Sequence, residues 1–226
     1  MISVIIPTLN ASAHLPRALA PLVAGAAHGL VKQVIVADGG SSDETLEIAE
    51  AAGCDIMAST PGRAKQMRAG VTRAKANWLL FLHADTTLAQ NWVEEAARFI
   101  GAPRGRLRAA AFRLAFDDDA PEARRVIAWA RLRARLLSLP YGDQGLLISR
   151  FFYDALGGFR DIPLMEDVEI VRRIGAKRLT LLETEAVTSA EKYRRDGYNK
   201  RAWRNLILTA RYLMGADPAD LAKAYD

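Results

Sequence analysis

The chain has 226 residues, half of them hydrophobic, which is enough for one well-buried domain and too few for two comfortable ones. Sixteen glycines and nine prolines with no low-complexity tract exclude a largely disordered chain, and no apolar run approaches the roughly 18 residues of a spanning helix. The single Cys54 excludes an internal disulfide or a zinc cluster, and the whole net charge of +5 falls late: residues 1–120 hold 12 basic and 12 acidic side chains, residues 121–226 hold 19 and 14.

The chain opens directly on "ISVII" (2–6), a β-branched apolar run without a charged-then-apolar leader, so a cytoplasmic protein is expected. "HLPRALAPLVAGAAHG" follows with helical spacing at Leu15, Leu19, Leu22 and Val23, and "QVIVA" (33–37) is a second strand. "SSDETLEIAEAAG" begins with Ser41 and Glu44 at capping-box spacing and ends on Gly53, as a helix should. "GRAKQMRAGVTRAKA" sets Met67, Val71 and Ala74 on one face, and "WLLFL" (78–82) is a third strand. Strands that are apolar on both faces, alternating with helices, predict a parallel sheet covered on both sides.

After residue 100 the rhythm changes. "RAAAFRLAF" (108–116) reads as a strand, "DDDAPE" as an acidic turn, and an Arg-rich helix follows over roughly 121–138. "GLLIS" (145–149) and "LTLLE" (179–183) are further strands with the helix "EDVEIVRRIG" between them, and residues 196–225 are mostly helical. With no repeat and no linker, residues 1–226 are expected to form one α/β domain. Its nucleotide-binding-like half covers about 1–115, and a more irregular half with a helical tail covers 116–226.

Three strands run into polar residues at their carboxyl ends: Pro7, Thr8 and Asn10; Asp38, Gly39, Gly40 and Ser41; His83, Ala84 and Asp85. In an open parallel sheet, ligands sit beyond those ends, so the three exits converge on one site if the strands are neighbours. Each exit alone is compatible with an ordinary turn; their coincidence favours a site. Arg63 and Lys65 fall in the first turn of a helix, where the dipole disfavours cations, and an anion such as phosphate at that end explains them.

Taken in order, "SVIIPTLN", "VIVADGGSSDET", "GRAKQMRAG", "LLFLHADT", "YGDQG" and "IPLMEDVEI" resemble the inverting family 2 glycosyltransferases of GT-A fold. They are most similar to the subgroup labelled arsenosugar-biosynthesis glycosyltransferases. The resemblance implies a GT-A-type, Rossmann-like, mostly parallel central sheet flanked by helices, with a helical C-terminal extension. It implies a nucleotide-diphosphate-sugar donor at the strand ends, with Thr8 and Asn10 near the nucleoside, Asp38 bonded to the base, Arg63 beside the nucleotide, and Pro7, Gly39, Lys65, His83, Ala84 and Asp85 also in the donor site. Asp85 matches the last carboxylate of the family's Asp-x-Asp motif, which holds a divalent metal on the diphosphate. Here His83 stands in the first position, with Ala84 between. Mn2+ or Mg2+ is the implied cofactor, held by Asp85; His83 either ligates it as well or contacts the ribose or diphosphate.

Direct displacement at an anomeric carbon needs a carboxylate to take the acceptor proton. The family likeness puts that base in the pair Glu166–Asp167, with Asp167 chosen; two acids opening a helix are also what the dipole prefers. Asp143 and Gln144 of "YGDQG" resemble the subgroup's acceptor-side loop, and an ordinary turn explains them as well. Lys192 or Arg194 is placed to close over the diphosphate.

The basic stretches leave two readings open. Arg124, Arg131 and Arg135 share one face of their helix, with Val126, Trp129, Leu136 and Leu137 on another, and 193–213 interleaves aromatic and basic groups. One reading is peripheral docking on anionic lipid at the inner face of the membrane, to meet a lipid-linked acceptor. The other is amphipathic helices packed on the domain with solvated arginines. No nucleic-acid partner is expected, because only general charge favours one. A nucleotidyltransferase is disfavoured because "PTLN" lacks a glycine-rich loop with Arg, and a dinucleotide oxidoreductase because no G-x-G-x-x-G follows a strand. A non-catalytic nucleotide- or membrane-binding module would have no need of Glu166 and Asp167.

Overall fold

The structure is a computed structural model, and it describes residues 1–103 and 105–225. In chain order its principal elements are β1 (Ile2–Thr8), α1 (Leu15–Ala27), β2 (Val31–Asp38), α2 (Thr45–Ala51), β3 (Asp55–Ala58), α3 (Arg63–Arg73), β4 (Trp78–Phe81), β5 (Thr86–Leu88) and α4 (Trp92–Gly101). The second half continues with β6 (Ala109–Phe116), α5 (Pro121–Leu137), β7 (Leu146–Ser149), α6 (Arg150–Ala155), α7 (Glu166–Ile174), β8 (Leu179–Thr188), α8 (Glu191–Asp196), α9 (Tyr198–Leu213) and α10 (Pro218–Tyr225).

The strands form one mixed sheet in the order β3-β2-β1-β4-β7-β6-β8-β5. The run β3-β2-β1-β4 is parallel, as is β6 with β8; β4–β7, β6–β7 and β5–β8 are antiparallel. Period-two alternation decides how this sheet is covered. Ile2, Val4 and Ile6 join Leu15, Leu19 and Leu22 of α1 and Trp92, Val93, Ala96 and Phe99 of α4 in one core cluster. Ile5, Leu79 and Phe81 face the other way, onto Met67 and Val71 of α3, Phe152 of α6, and Val168, Ile170 and Val171 of α7. Both faces are therefore buried, as the continuous apolar runs require. Gly70 lets α3 lie against β1, because a Cβ there would stand 2.5 Å from Ile5 Cγ2.

Several sequence expectations change. The Ser41–Glu44 capping box does not form: Glu44 is itself the N-cap of α2, without a side-chain cap, and the Ser41 hydroxyl donates to Asp38. Val23 is exposed although it follows three buried positions of α1. Of the apolar group on α5 whose packing the sequence leaves open, only Val126 is buried; Trp129, Leu136 and Leu137 face outward. The helical tail resolves into α8, α9 and α10, and β8 extends five residues beyond "LTLLE".

Candidate active site

β2, β1 and β4 are adjacent, so the three polar exits do lie side by side at one sheet edge. Thr8 pairs with Asp38 across the β1–β2 ladder, and its hydroxyl donates to Asp38 Oδ1 at 2.9 Å. Asp38 also accepts the Ser41 hydroxyl and the backbone N–H groups of Gly40 and Ser41, both at 2.8 Å. Burial raises its pKa, but the bonds from Ser41, Gly40 and Thr8 outweigh burial and hold the carboxyl below its usual range. All four lone-pair positions of this buried carboxylate are taken. Asp38 thus organises the loop that joins the first two exits.

Asn10, in the left-handed region at φ 50°, ties the first exit to the second. Its N–H donates to Ser41 Oγ and its side-chain oxygen accepts from the Ser42 N–H at 2.9 Å. Gln66, a residue that spacing did not single out, donates to the carbonyls of Thr8 and Ala37 and so ties β1 to β2 from α3. Gly39 accommodates this amide, because a Cβ there would lie 3.1 Å from Gln66 Nε2.

The third exit opens into a cavity. Its walls bring together His83 and Asp85 after β4, Arg63 at the start of α3, Asp143 in the loop before β7, and Glu166 and Asp167 opening α7. Met165 precedes that pair in the left-handed region at φ 69°, a conformation costly for a side chain of this size, and it sets the entry of the chain into α7. Gly142 is wedged between the two halves. Its N–H donates to Asp167 Oδ2 at 2.7 Å, and a Cβ on it would stand 2.7 Å from His83 Nε2.

Buried Glu166 lies 3.4 Å from Arg63 Nη1. Burial pushes its carboxyl up and the guanidinium opposes that, while Glu166 in turn raises Arg63. The cation at the start of α3 thus has a protein partner, which the dipole argument alone did not reveal. Burial, reinforced by Arg63, pushes His83 down to about 4, so its imidazole is neutral at neutral pH. Burial raises Asp143 to about 6, and its Oδ1 has no hydrogen-bond partner among the described residues.

Other expected site residues lie elsewhere. Pro7, Thr8, Asn10, Asp38, Gly39, Lys65 and Ala84 do not line this cavity. Gln144 is buried behind the cavity wall, where its amide donates to the Phe112 carbonyl at 2.8 Å and accepts from the Tyr141 N–H. Lys192 lines the cavity, whereas Arg194 is turned away onto Asp117 and Asp118. Tyr141, Thr188, Tyr193, Asn205 and Thr209 also line it, and no motif marks them, since they come from a loop, the end of β8 and the inner face of the basic tail.

Asp85 is the natural place for a hard cation. Its carboxylate has only long contacts, 3.4 and 3.5 Å from the hydroxyls of Thr86 and Thr188, and no ion pair among the described residues. No group of three metal-ligating side chains occurs among the described residues. The donor set therefore fits a cation shared with ligand oxygens and water, and does not fit a closed protein cage.

A glycosyl transferase family 2 model matches residues 3–160. A Mycobacterium tuberculosis PGL/p-HBAD biosynthesis glycosyltransferase is 36% identical over 109 residues, which cover 45% of this chain and 42% of that protein. The chain thus spans less than half of that relative. Glucosyl-3-phosphoglycerate synthase from M. tuberculosis, solved with Mn2+ and UDP-glucose, superposes with a TM-score of 0.65 at 18% identity, covering 94% of this chain and 78% of that one. S. aureus TarS 1-349 with UDP-GlcNAc superposes with a TM-score of 0.63 at 16% identity, covering 97% and 69%. The architecture these structures share with the chain is the GT-A type, a mixed α/β sheet flanked by helices.

Proposed function

Because the chain belongs to glycosyl transferase family 2, we propose that it moves a sugar from a nucleoside-diphosphate donor to an acceptor hydroxyl, with inversion, in the cavity between β4 and α7. One observation carries the reading: Asp85 and Asp167, from segments far apart in the chain, line the same cavity. Single displacement needs a charge-neutralising anchor for the leaving group on one side of the anomeric carbon and a proton acceptor on the other. The two carboxylates supply those roles.

Asp85 would hold Mn2+ or Mg2+, with neutral His83 as the adjacent donor, and the cation would neutralise the departing diphosphate. Asp167 takes the proton from the acceptor hydroxyl as its oxygen bonds to the anomeric carbon and the bond to the diphosphate oxygen breaks. The Gly142 N–H fixes the Asp167 carboxylate through Oδ2. Arg63, held against Glu166, and Lys192 offer cations to the diphosphate. Asp143, with a carboxyl oxygen left open, faces the acceptor and accepts one of its hydroxyls. The loop tied by Asn10, Asp38 and Gln66 forms the floor for the nucleoside.

Two structural neighbours hold uridine nucleotides, so UDP-sugars are the first donors to try. Within the family, "YGDQG" favours the arsenosugar-biosynthesis-type subgroup, a label that leaves the acceptor open. A thermal-shift panel of UDP-, GDP- and dTDP-sugars with Mn2+ or Mg2+ tests the reading. A donor at a hundred times its Kd raises stability by about 2.7 kcal/mol. No shift with any donor, metal present, refutes it.

A further inference from the structure

Helix α9 is amphipathic in an unusual sense: its inner face lines the cavity and its outer face is apolar. Asn205, Leu208 and Thr209 face the cavity, while Trp203 is 63% exposed and Leu206 and Ile207 about half exposed. Met214, just beyond the helix, is 79% exposed. Helix α5, packed beside α9, repeats the pattern with Trp129 72% exposed and Leu132, Leu136 and Leu137 outward.

The two apolar stripes adjoin. Residues 126, 129, 133 and 136 share one line along α5, and 202, 206, 209 and 213 share one along α9. Val126 and Ala202 meet in a single cluster. Arg133 stacks on the Tyr141 ring, whose hydroxyl bonds Thr209 at 2.7 Å. Trp129 and Leu136 therefore stand on the α9 side of α5, and Leu206 and Leu213 on the α5 side of α9.

Along most of both helices the charge is of one sign, with Glu122 at the start of α5 as the exception, paired with Arg125. Residues 123–137 and 198–213 contain nine Lys and Arg and no Asp or Glu. Among the described residues, Arg124, Arg135, Lys200 and Arg211 make no ion pair. A second copy of this chain would bring like charges together. An apolar face ringed by cations is complementary to an anionic lipid surface. We propose that the outer face of α5 and α9 docks on an anionic bilayer. Docking would hold the cavity about one helix diameter, roughly 10 Å, from the lipid headgroups. The proposal goes beyond glycosyl transfer and does not depend on it.

Flotation of the full chain with phosphatidylcholine vesicles, with and without phosphatidylglycerol, tests it, alongside tryptophan emission. The chain should float with the anionic vesicles at low salt, and not at high salt or with phosphatidylcholine alone. Emission should move to the blue through Trp129 and Trp203, since Trp78 and Trp92 are already buried. The double variant Trp129→Ser/Trp203→Ser, with its circular dichroism unchanged, should no longer float or shift. Replacing any one of Arg124, Arg135, Lys200 or Arg211 by Ser should weaken partitioning about fivefold. Failure to float at low salt, or flotation indifferent to the double variant, overturns the proposal. So does a stable dimer at micromolar concentration that the double variant dissociates.

Discussion

Gly142→Ala probes the contact on which the cavity is built. The added Cβ would stand 2.7 Å from His83 Nε2, 3.0 Å from Cε1 and 3.3 Å from Asp167 Oδ2. Relaxed contacts lie near 3.5 Å or beyond, so His83 or the loop must retreat by about 0.8 Å. Overpacking of this kind costs about 1–3 kcal/mol. Gly142 is outside the left-handed region, so alanine recovers about 0.4–1 kcal/mol by restricting the unfolded chain. The net loss of about 1–2 kcal/mol corresponds to a fall in Tm of roughly 2–8 °C for a chain of this size. Activity should suffer more, because the retreat moves His83 or the Gly142–Asp167 hydrogen bond. A misplacement near 1 Å costs about a hundredfold in kcat. Scanning calorimetry and nucleoside-diphosphate release, measured on the same preparation, separate the two effects. A variant with unchanged kcat would refute the view that this loop positions the reacting groups.

Asp85→Asn should leave the fold intact and abolish the Mn2+-dependent part of donor stabilisation; retention of a full Mn2+-dependent thermal shift would remove Asp85 from the metal site. Asp143 has a folded pKa raised from 3.8 to about 6, so it favours the folded state fully below about 3.8, and that contribution is lost as pH rises through 6. Asp143→Asn cannot ionise, so its Tm relative to the parent should climb between about pH 4 and 6 and level off above; a flat difference would contradict the burial of this carboxyl. Gly70→Ala places a Cβ 2.5 Å from Ile5 Cγ2 and should cost about 1–3 kcal/mol by urea titration, and a neutral result would show that α3 lies farther from β1 than described.

The parts legible from sequence are those whose pattern is set by burial. β1, β2 and β4 are continuous apolar runs because helices cover both faces, and their polar exits follow from the end of that cover. β3 and β5, of four and three residues, are too short to carry a period, and β3 sits half-exposed at the sheet edge. α4 carries its signal in Trp92, Val93, Ala96 and Phe99, which are buried at helical spacing. Spacing located Asp38 and Gln144 but not their hydrogen-bond partners, some of which lie about 30 residues away, at Thr8 and Phe112. Helix α5 could not be decided from its pattern for a related reason. A stripe of Trp and Leu ordinarily marks the core face, and here Ala123, Ala130 and Ala134 take that face, leaving the large side chains outside.

Donor affinity and turnover in Asp167→Asn, measured together with whichever nucleotide sugar raises the parent's Tm, bear most directly on the assignment of roles. The donor Kd in the presence of Mn2+ should be unchanged and kcat lower by a factor of about 10²–10⁴. Turnover close to that of the parent would mean that another group takes the acceptor proton, and that the pairing of Asp85 with Asp167 across the cavity is not the catalytic one.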